Sequence, residues 1–142
     1  MGVNQNYQAE VGIKFNDTKF GVFYRNTSIG DKLFGNVVTL DGTTLYLGSA
    51  TECSEKTALY IEALYINETR ALICFYNATN DAVGVVAVSL SNDELVPEET
   101  INASTNQGYY VAADTLNPAK VVVCYQHVDN ASRLYAKVLV DN

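Results

Sequence analysis

The fold of this chain is decided by the stretch Arg70-Ala71-Leu72-Ile73-Cys74-Phe75. After the first residue it is apolar at every position, whereas a strand with one face in water alternates apolar and polar residues. A strand that is apolar on consecutive residues is buried on both faces. The stretch therefore predicts a strand that lies within a stack of sheets packed face to face.

Two similar stretches lie about 50 residues before and after this one. They read Lys19-Phe20-Gly21-Val22-Phe23-Tyr24 and Lys120-Val121-Val122-Val123-Cys124-Tyr125, and each runs from a basic residue to an aromatic one. A turn that begins with Asn precedes all three, at Asn16, Asn67 and Asn117. Asn favours turns because its side chain bonds the nearby backbone. Such self-similarity at a fixed period indicates a repeat architecture.

Each copy is predicted to hold four antiparallel strands, A to D, of which the apolar stretch is strand B. The other predicted strands are 8–15, 58–66 and 109–116 for A, 33–40, 83–90 and 134–140 for C, and 44–48 and 94–98 for D. No counterpart of strand D follows in the third copy. We expect the N-terminal segment Met1–Tyr7, or a strand exchanged with another chain, to complete it. The prediction is one all-β domain, 1–142, with repeats at about 1–50, 51–100 and 101–142.

In length and strand order this repeat resembles the blade of a β-propeller, a four-stranded unit that packs radially on its neighbours. The resemblance covers the whole chain and concerns architecture alone, because the WD dipeptide, the Asp-box and the kelch glycine pair are absent. Three blades are too few to close a ring. The resemblance therefore implies a six-bladed ring of two chains or a head-to-tail filament. A β-trefoil, which also has three four-stranded repeats, is the alternative.

Composition restricts the classes of partner. The net charge of −7 argues against nucleic acid, which needs a basic face, and against docking on an anionic membrane. No apolar run approaches the roughly 20 residues of a transmembrane helix, so membrane insertion is not expected. The first residues lack the basic and apolar regions of a signal peptide. An exported form would therefore have lost its signal or would use another route.

The sequence is rich in acceptor triplets for N-glycosylation. Six Asn-x-Ser/Thr triplets occur, where 14 Asn and 19 Ser or Thr would give about two by chance. They begin at Asn16, Asn26, Asn67, Asn77, Asn102 and Asn130. Asn16 and Asn67 fall in the predicted turn between strands A and B, and Asn26, Asn77 and Asn130 fall in the loop between strands B and C, where we expect them to be exposed. Turns are also rich in Asn, Ser and Thr for structural reasons, and both interpretations stay open here.

No pattern of catalytic residues is evident. The single histidine, His127, has no paired nucleophile, and no zinc-type Cys/His cluster occurs. Cys74 and Cys124 occupy the strand B position that holds Phe23, so we interpret them as core residues, while Cys53 is placed in a loop before strand A. Acidic residues at 93–94 and 98–99 are more typical of a solvated turn than of a calcium site. We expect no enzymatic activity, cofactor or metal.

Two functions remain. The first is a glycosylated structural subunit, extracellular or on the cell surface, that self-assembles with copies of itself by β-strand complementation into a filament or coat. The second is a lectin whose propeller ring closes by oligomerisation and which binds carbohydrate in equivalent pockets between repeats. Its aromatic candidates are Tyr46, Tyr60, Tyr65, Tyr109, Tyr110 and Tyr135.

Overall fold

The computed structural model describes the backbone of residues 7–104, 108–117, 119–127 and 133–140, and their side chains from residue 11 onward. The described chain is all-β, as predicted, and every strand pair in it is antiparallel. Its one helical element is a 3-10 turn, Thr27–Ile29. The described strands close neither a barrel nor a ring, so the propeller and trefoil arrangements are not established.

Three meanders follow one another along the chain. The first meander comprises β1 (Tyr7–Lys14), β2 (Lys19–Asn26), β3 (Lys32–Asp41) and β4 (Thr44–Leu47). The middle meander comprises β5 (Thr51–Asn67), β6 (Arg70–Asn77), β7 (Ala82–Ser91) and β8 (Glu94–Pro97). A short strand, β9 (Ile101–Asn102), leads to the third meander, which comprises β10 (Gly108–Asn117), β11 (Lys120–His127) and β12 (Arg133–Val140).

The long strand β5 joins the first two meanders. Its first part pairs with β3 and its second part with β6, so both meanders belong to one nine-stranded sheet. A β-bulge interrupts the pairing of β5 with β6 near Tyr60, which has a φ of 51°. A bulge bends the strand that contains it. β10 carries the same irregularity near Tyr110, also at φ 51°, and belongs to a separate three-stranded sheet.

Two hydrophobic cores lie between the three meanders, one at each contact. The first core joins Phe23, Leu33 and Val37 of the first meander to side chains of the middle one. The second core joins the opposite side of the middle meander to the third. Strand β6 contributes alternate residues to each core, and every residue from Ala71 to Asn77 is buried. The predicted burial of strand B on both faces is therefore confirmed for β6.

The terminal copies of strand B depart from this prediction. In β11, Val121, Val123 and Tyr125 are buried, whereas the alternate residues Val122 and Cys124 are half-buried. In β2, Phe20 is exposed and Val22 is half-buried, whereas Gly21 and Phe23 are buried. The expectation of two covered faces is wrong for β11, because the described structure places a packed meander on one side of it only.

The turns between the first two strands of each meander follow the Asn pattern of the sequence. The side-chain oxygens of Asn16 and Asn67 each accept bonds from the backbone N–H and the hydroxyl of the Thr two residues later, Thr18 and Thr69. The oxygen of Asn117 accepts a bond from the backbone N–H of residue 119. These local bonds fix the three turns in a similar way.

Candidate assembly surfaces

Each meander is a sheet with two faces, which we call front and rear according to the two sides of strand β6. The front face carries Ala71, Ile73 and Phe75 and packs into the first core, toward the first meander. The rear face carries Leu72, Cys74 and Tyr76 and packs into the second core, toward the third meander. The corresponding positions in the other meanders follow from the register of the strands. By that register, the rear face of the first meander packs on the front face of the middle one, and the rear face of the middle meander packs on the front face of the third.

The front face of the first meander is not covered by another described meander. It presents two apolar rows across the strands, Phe20–Val38–Leu47 and Leu40–Leu45. Leu45 is 69% exposed and Leu47 is 71% exposed. The position fifty residues after Leu45 is Leu95, which is buried in the first core with 4% exposure. The same position is thus core in the middle meander and surface in the first.

The rear face of the third meander is the second uncovered apolar surface. Cys124 lies at its centre, and Ala136, Leu134 and Val138 follow along β12 on the same side of the sheet. Leu134 is 78% exposed, and Val138 is exposed as well. The equivalents of Cys124 in the other meanders, Phe23 and Cys74, are fully buried. Contiguous exposed apolar surface is a common feature of interaction sites, so this face is a candidate for one.

The outer edge of β12 is a third candidate surface. In the first meander, the edge of β3 away from β2 pairs with β4 and with the start of β5. In the middle meander, the equivalent edge of β7 pairs with β8 and β9. Within the described residues, β12 pairs with β11 alone. Of the segment Met1–Tyr7, which we predicted as a source of the completing strand, residues 1–6 lie outside the described residues, and Tyr7 begins β1 and pairs with β2.

The six candidate glycosylation residues differ in their surroundings. Asn67 and Asn102 are exposed and Asn16 is half-buried, whereas Asn130 lies outside the described residues. Asn26 and Asn77 are buried, so the expectation that the candidates in turns and loops are exposed is wrong for these two. They end strands β2 and β6, and their side chains turn inward to bond the following loop.

The amide of Asn77 is fully engaged in the structure. Its side-chain nitrogen donates to the side-chain oxygens of Asn80 at 3.0 Å and Asn102 at 3.2 Å, and its oxygen accepts from the backbone of Thr79. A glycan on that nitrogen would replace one of its two hydrogens, so at least one of the donated bonds would be lost in a buried site. Among the described candidates, the exposed side chains of Asn67 and Asn102 provide the space that a glycan needs.

The three cysteines are free thiols. Cys53 lies within β5 and is buried in the first core, which corrects its predicted place in a loop. Cys74 faces the second core, on the other side of the sheet. Burial raises the pKa of the Cys53 and Cys74 thiols to about 12. A thiol in apolar surroundings stays protonated and is a poor nucleophile, so both behave as core side chains.

A groove of about 750 Å³ lies between the first and middle meanders. It is lined by Tyr65 and Glu68 of the middle meander and by the Lys14–Asp17 ion pair of the first. Tyr65 is exposed, as a sugar-stacking ring would need to be. The third meander has Thr115 at the place of Tyr65, so the aromatic residue of this groove does not recur.

The remaining tyrosines mostly pack on one another. Tyr60 and Tyr110, at the two bulges, have ring centroids 4.9 Å apart, and Tyr76 and Tyr109 are 4.3 Å apart. Tyr135 stacks on Tyr125 and also contacts the ring of His127. Such contacts consolidate the stack of meanders.

Two of the four acidic residues considered as a calcium site are paired with basic side chains at separate places. Asp93 pairs with Lys19 at 2.6 Å, and Glu98 pairs with Arg70. The described residues include no group of three His, Cys, Asp or Glu that could hold a metal ion. They also include no helix with the length and apolar character needed to span a membrane.

Comparison with known proteins gave no matching family model, no matching curated sequence and no matching solved structure. The three surfaces described above, two apolar faces and one strand edge, and the groove beside Tyr65 are therefore the features from which a function can be argued.

Proposed function

We propose that this chain is a non-enzymatic structural subunit that self-assembles with its own copies, outside the cell, into a filament or surface coat. The observation that carries the proposal is the outer edge of β12. The same edge of β3 and β7 is occupied by two further strands in each case, whereas β12 has none among the described residues. A strand donated by another copy would satisfy the backbone groups of this edge.

Hydrogen exchange of β12 tests strand addition. In dilute monomers, the outward amides of Arg133–Val140 should exchange rapidly. In assembled protein they should slow by about 100-fold, because each gains a backbone acceptor. Strand β6, which is bonded on both sides, is the internal control and should exchange slowly in both states. Equal exchange of β12 in monomers and assemblies would exclude strand addition as the joining device.

The extracellular part of the proposal rests on the excess of acceptor triplets. Exposed Asn67 and Asn102 have room for glycans, which would keep exposed surfaces from non-specific contact. Expression in a glycosylating host should add mass in hexose steps. The variant Asn67→Gln should lose one glycan, whereas Asn77→Gln should lose none because its amide is buried and bonded. Protein without any added mass would refute the glycosylated form.

The groove beside Tyr65 favours a second candidate, a carbohydrate-binding module. An exposed ring next to a pair of opposite charges combines the apolar and polar contacts that a sugar needs. Binding on a glycan array that disappears in Tyr65→Ala, but persists in Tyr46→Ala, would support this function. Tyr46 is also exposed but lies outside this groove, so it is the matched control.

A further inference from the structure

We infer that copies of this chain stack head to tail, with the rear face of the third meander of one copy packed on the front face of the first meander of the next. This inference rests on the proposed self-assembly and names the surfaces that join. The occupant follows from the chain itself. Two rear-on-front contacts already exist within it, and each forms a hydrophobic core.

The first internal contact shows how the faces fit. Leu95 of the middle meander lies over Gly35 of the first, so closely that a Cβ on Gly35 would be 2.6 Å from the Leu95 Cδ1 atom. Fifty residues before Leu95 lies Leu45, which is exposed on the free front face. The register of β11 and β12 places Ala136 at the position of Gly35 in the third meander. In the stack, Leu45 of the next copy would therefore lie over Ala136, as Leu95 lies over Gly35 within the chain.

Polar residues at the edge of the packed faces fit the same arrangement. Inside the chain, Lys19 of the first meander pairs with Asp93 in the turn between β7 and β8. The equivalent of Lys19 in the third meander is Lys120, which is exposed. The equivalent turn of the next copy joins β3 to β4 and has Thr43 at the place of Asp93. Lys120 would therefore meet the hydroxyl of Thr43, which can accept a hydrogen bond from its ammonium group.

Such a contact joins two different surfaces, so it is heterologous. Heterologous contacts produce a closed ring if the rotation per copy closes, and otherwise an open filament. Strand addition at β12 uses the edge of the same meander, and we expect it only between copies whose faces have already stacked, so loss of either face should prevent assembly.

The experiment uses two surface variants of the full chain, Leu45→Asp on the front face and Ala136→Lys on the rear face. Both positions are exposed, so folding should be retained, as checked by circular dichroism. Each variant alone should stay monomeric in analytical ultracentrifugation where the wild type assembles. An equimolar mixture should form one-to-one dimers that grow no further, because one intact front face and one intact rear face remain. Tyr46→Asp, on the same strand as Leu45 but directed to the other side, should assemble like the wild type.

The outcomes separate the inference from the proposed function. A wild type that assembles together with two variants that assemble equally well would overturn the stacking and leave the structural function in place. Self-association of one variant alone would mean that two like faces meet, which also overturns it. A wild type that stays monomeric up to millimolar concentration would overturn the proposed function as well. The neighbouring pair Leu47→Asp and Val138→Lys repeats the test if either first variant fails to fold.

Discussion

The middle and third meanders share one sequence pattern but not one environment. Strand β6 is buried at seven consecutive positions, whereas β11 is buried at alternate positions. Cys74 and Cys124 occupy the same place in these strands, and one is fully buried while the other is half-buried. Consecutive apolar residues therefore show that a strand is suited to burial on both sides. A second packed sheet is still needed to cover it.

The first meander gives the same lesson on the opposite face. Leu95 is core and Leu45 is surface, although the two leucines lie fifty residues apart at the same place of their meanders and each follows a two-residue turn. A monomer that keeps leucine at such an exposed place retains an apolar surface without using it in its own fold. The comparison thus points to contacts beyond the single chain, which is the basis of the stacking inference.

The largest contrast is expected in thiol reactivity. At pH 8 a thiol with a pKa of about 12 is ionised in about one molecule in 10,000, so Cys53 and Cys74 should resist an alkylating reagent in the folded protein. Cys124 is more accessible to solvent and should be labelled alone. Mass spectrometry of the labelled peptides reads the result. In assemblies Cys124 should become protected from the reagent. Labelling of Cys74 before Cys124 in the monomer would contradict the assignment of Cys124 to an uncovered face.

Truncation of the two equivalent leucines should lower the free energy of unfolding by different amounts in the two meanders. Leu95→Ala removes buried methyl groups from the first core and should cost about 2–5 kcal/mol. Leu45→Ala changes an exposed side chain and should alter the stability of the dilute monomer by no more than about 0.5 kcal/mol. Urea titration of both variants gives the values. Similar losses in both would show that Leu45 is already covered in the monomer.

A smaller difference is expected for the two cysteines of strand B. Cys74→Ser places a hydroxyl in an apolar core and should destabilise the protein by about 1–3 kcal/mol. Cys124→Ser should cost less, because water reaches its half-buried side chain. Thermal unfolding of the dilute proteins measures the pair. A greater loss for Cys124→Ser would contradict the assignment of its face as uncovered.

Much of the local structure was predictable. The predicted strands agree with the observed ones to within a residue or two in most cases, because strand propensity, turn chemistry and apolar pattern agree with one another. The exceptions are instructive. Residues 51–57 were not predicted as strand, yet they pair with β3, and this pairing buries Cys53. Ladder bonds between distant segments leave little trace in local composition.

The candidate surfaces were harder to predict from the sequence. The burial of Asn26 and Asn77 was missed, since a triplet such as Asn-x-Thr looks alike whether its Asn turns outward or inward to bond the next loop. The exposed front and rear faces were missed as well. Their residues look like core, and only the order of the meanders shows which faces lack a neighbour.

The sequence by itself determined that the chain forms short antiparallel strands, where its tight turns fall, and that strand B tolerates burial on both sides. These properties depend on residues close together in the chain. The tertiary structure alone decided which copy is covered twice, that β5 bends from one meander into the next, and that Leu45 and Leu134 stay exposed. Burial depends on what lies across the sheet, and that neighbour is supplied by residues far away in the sequence.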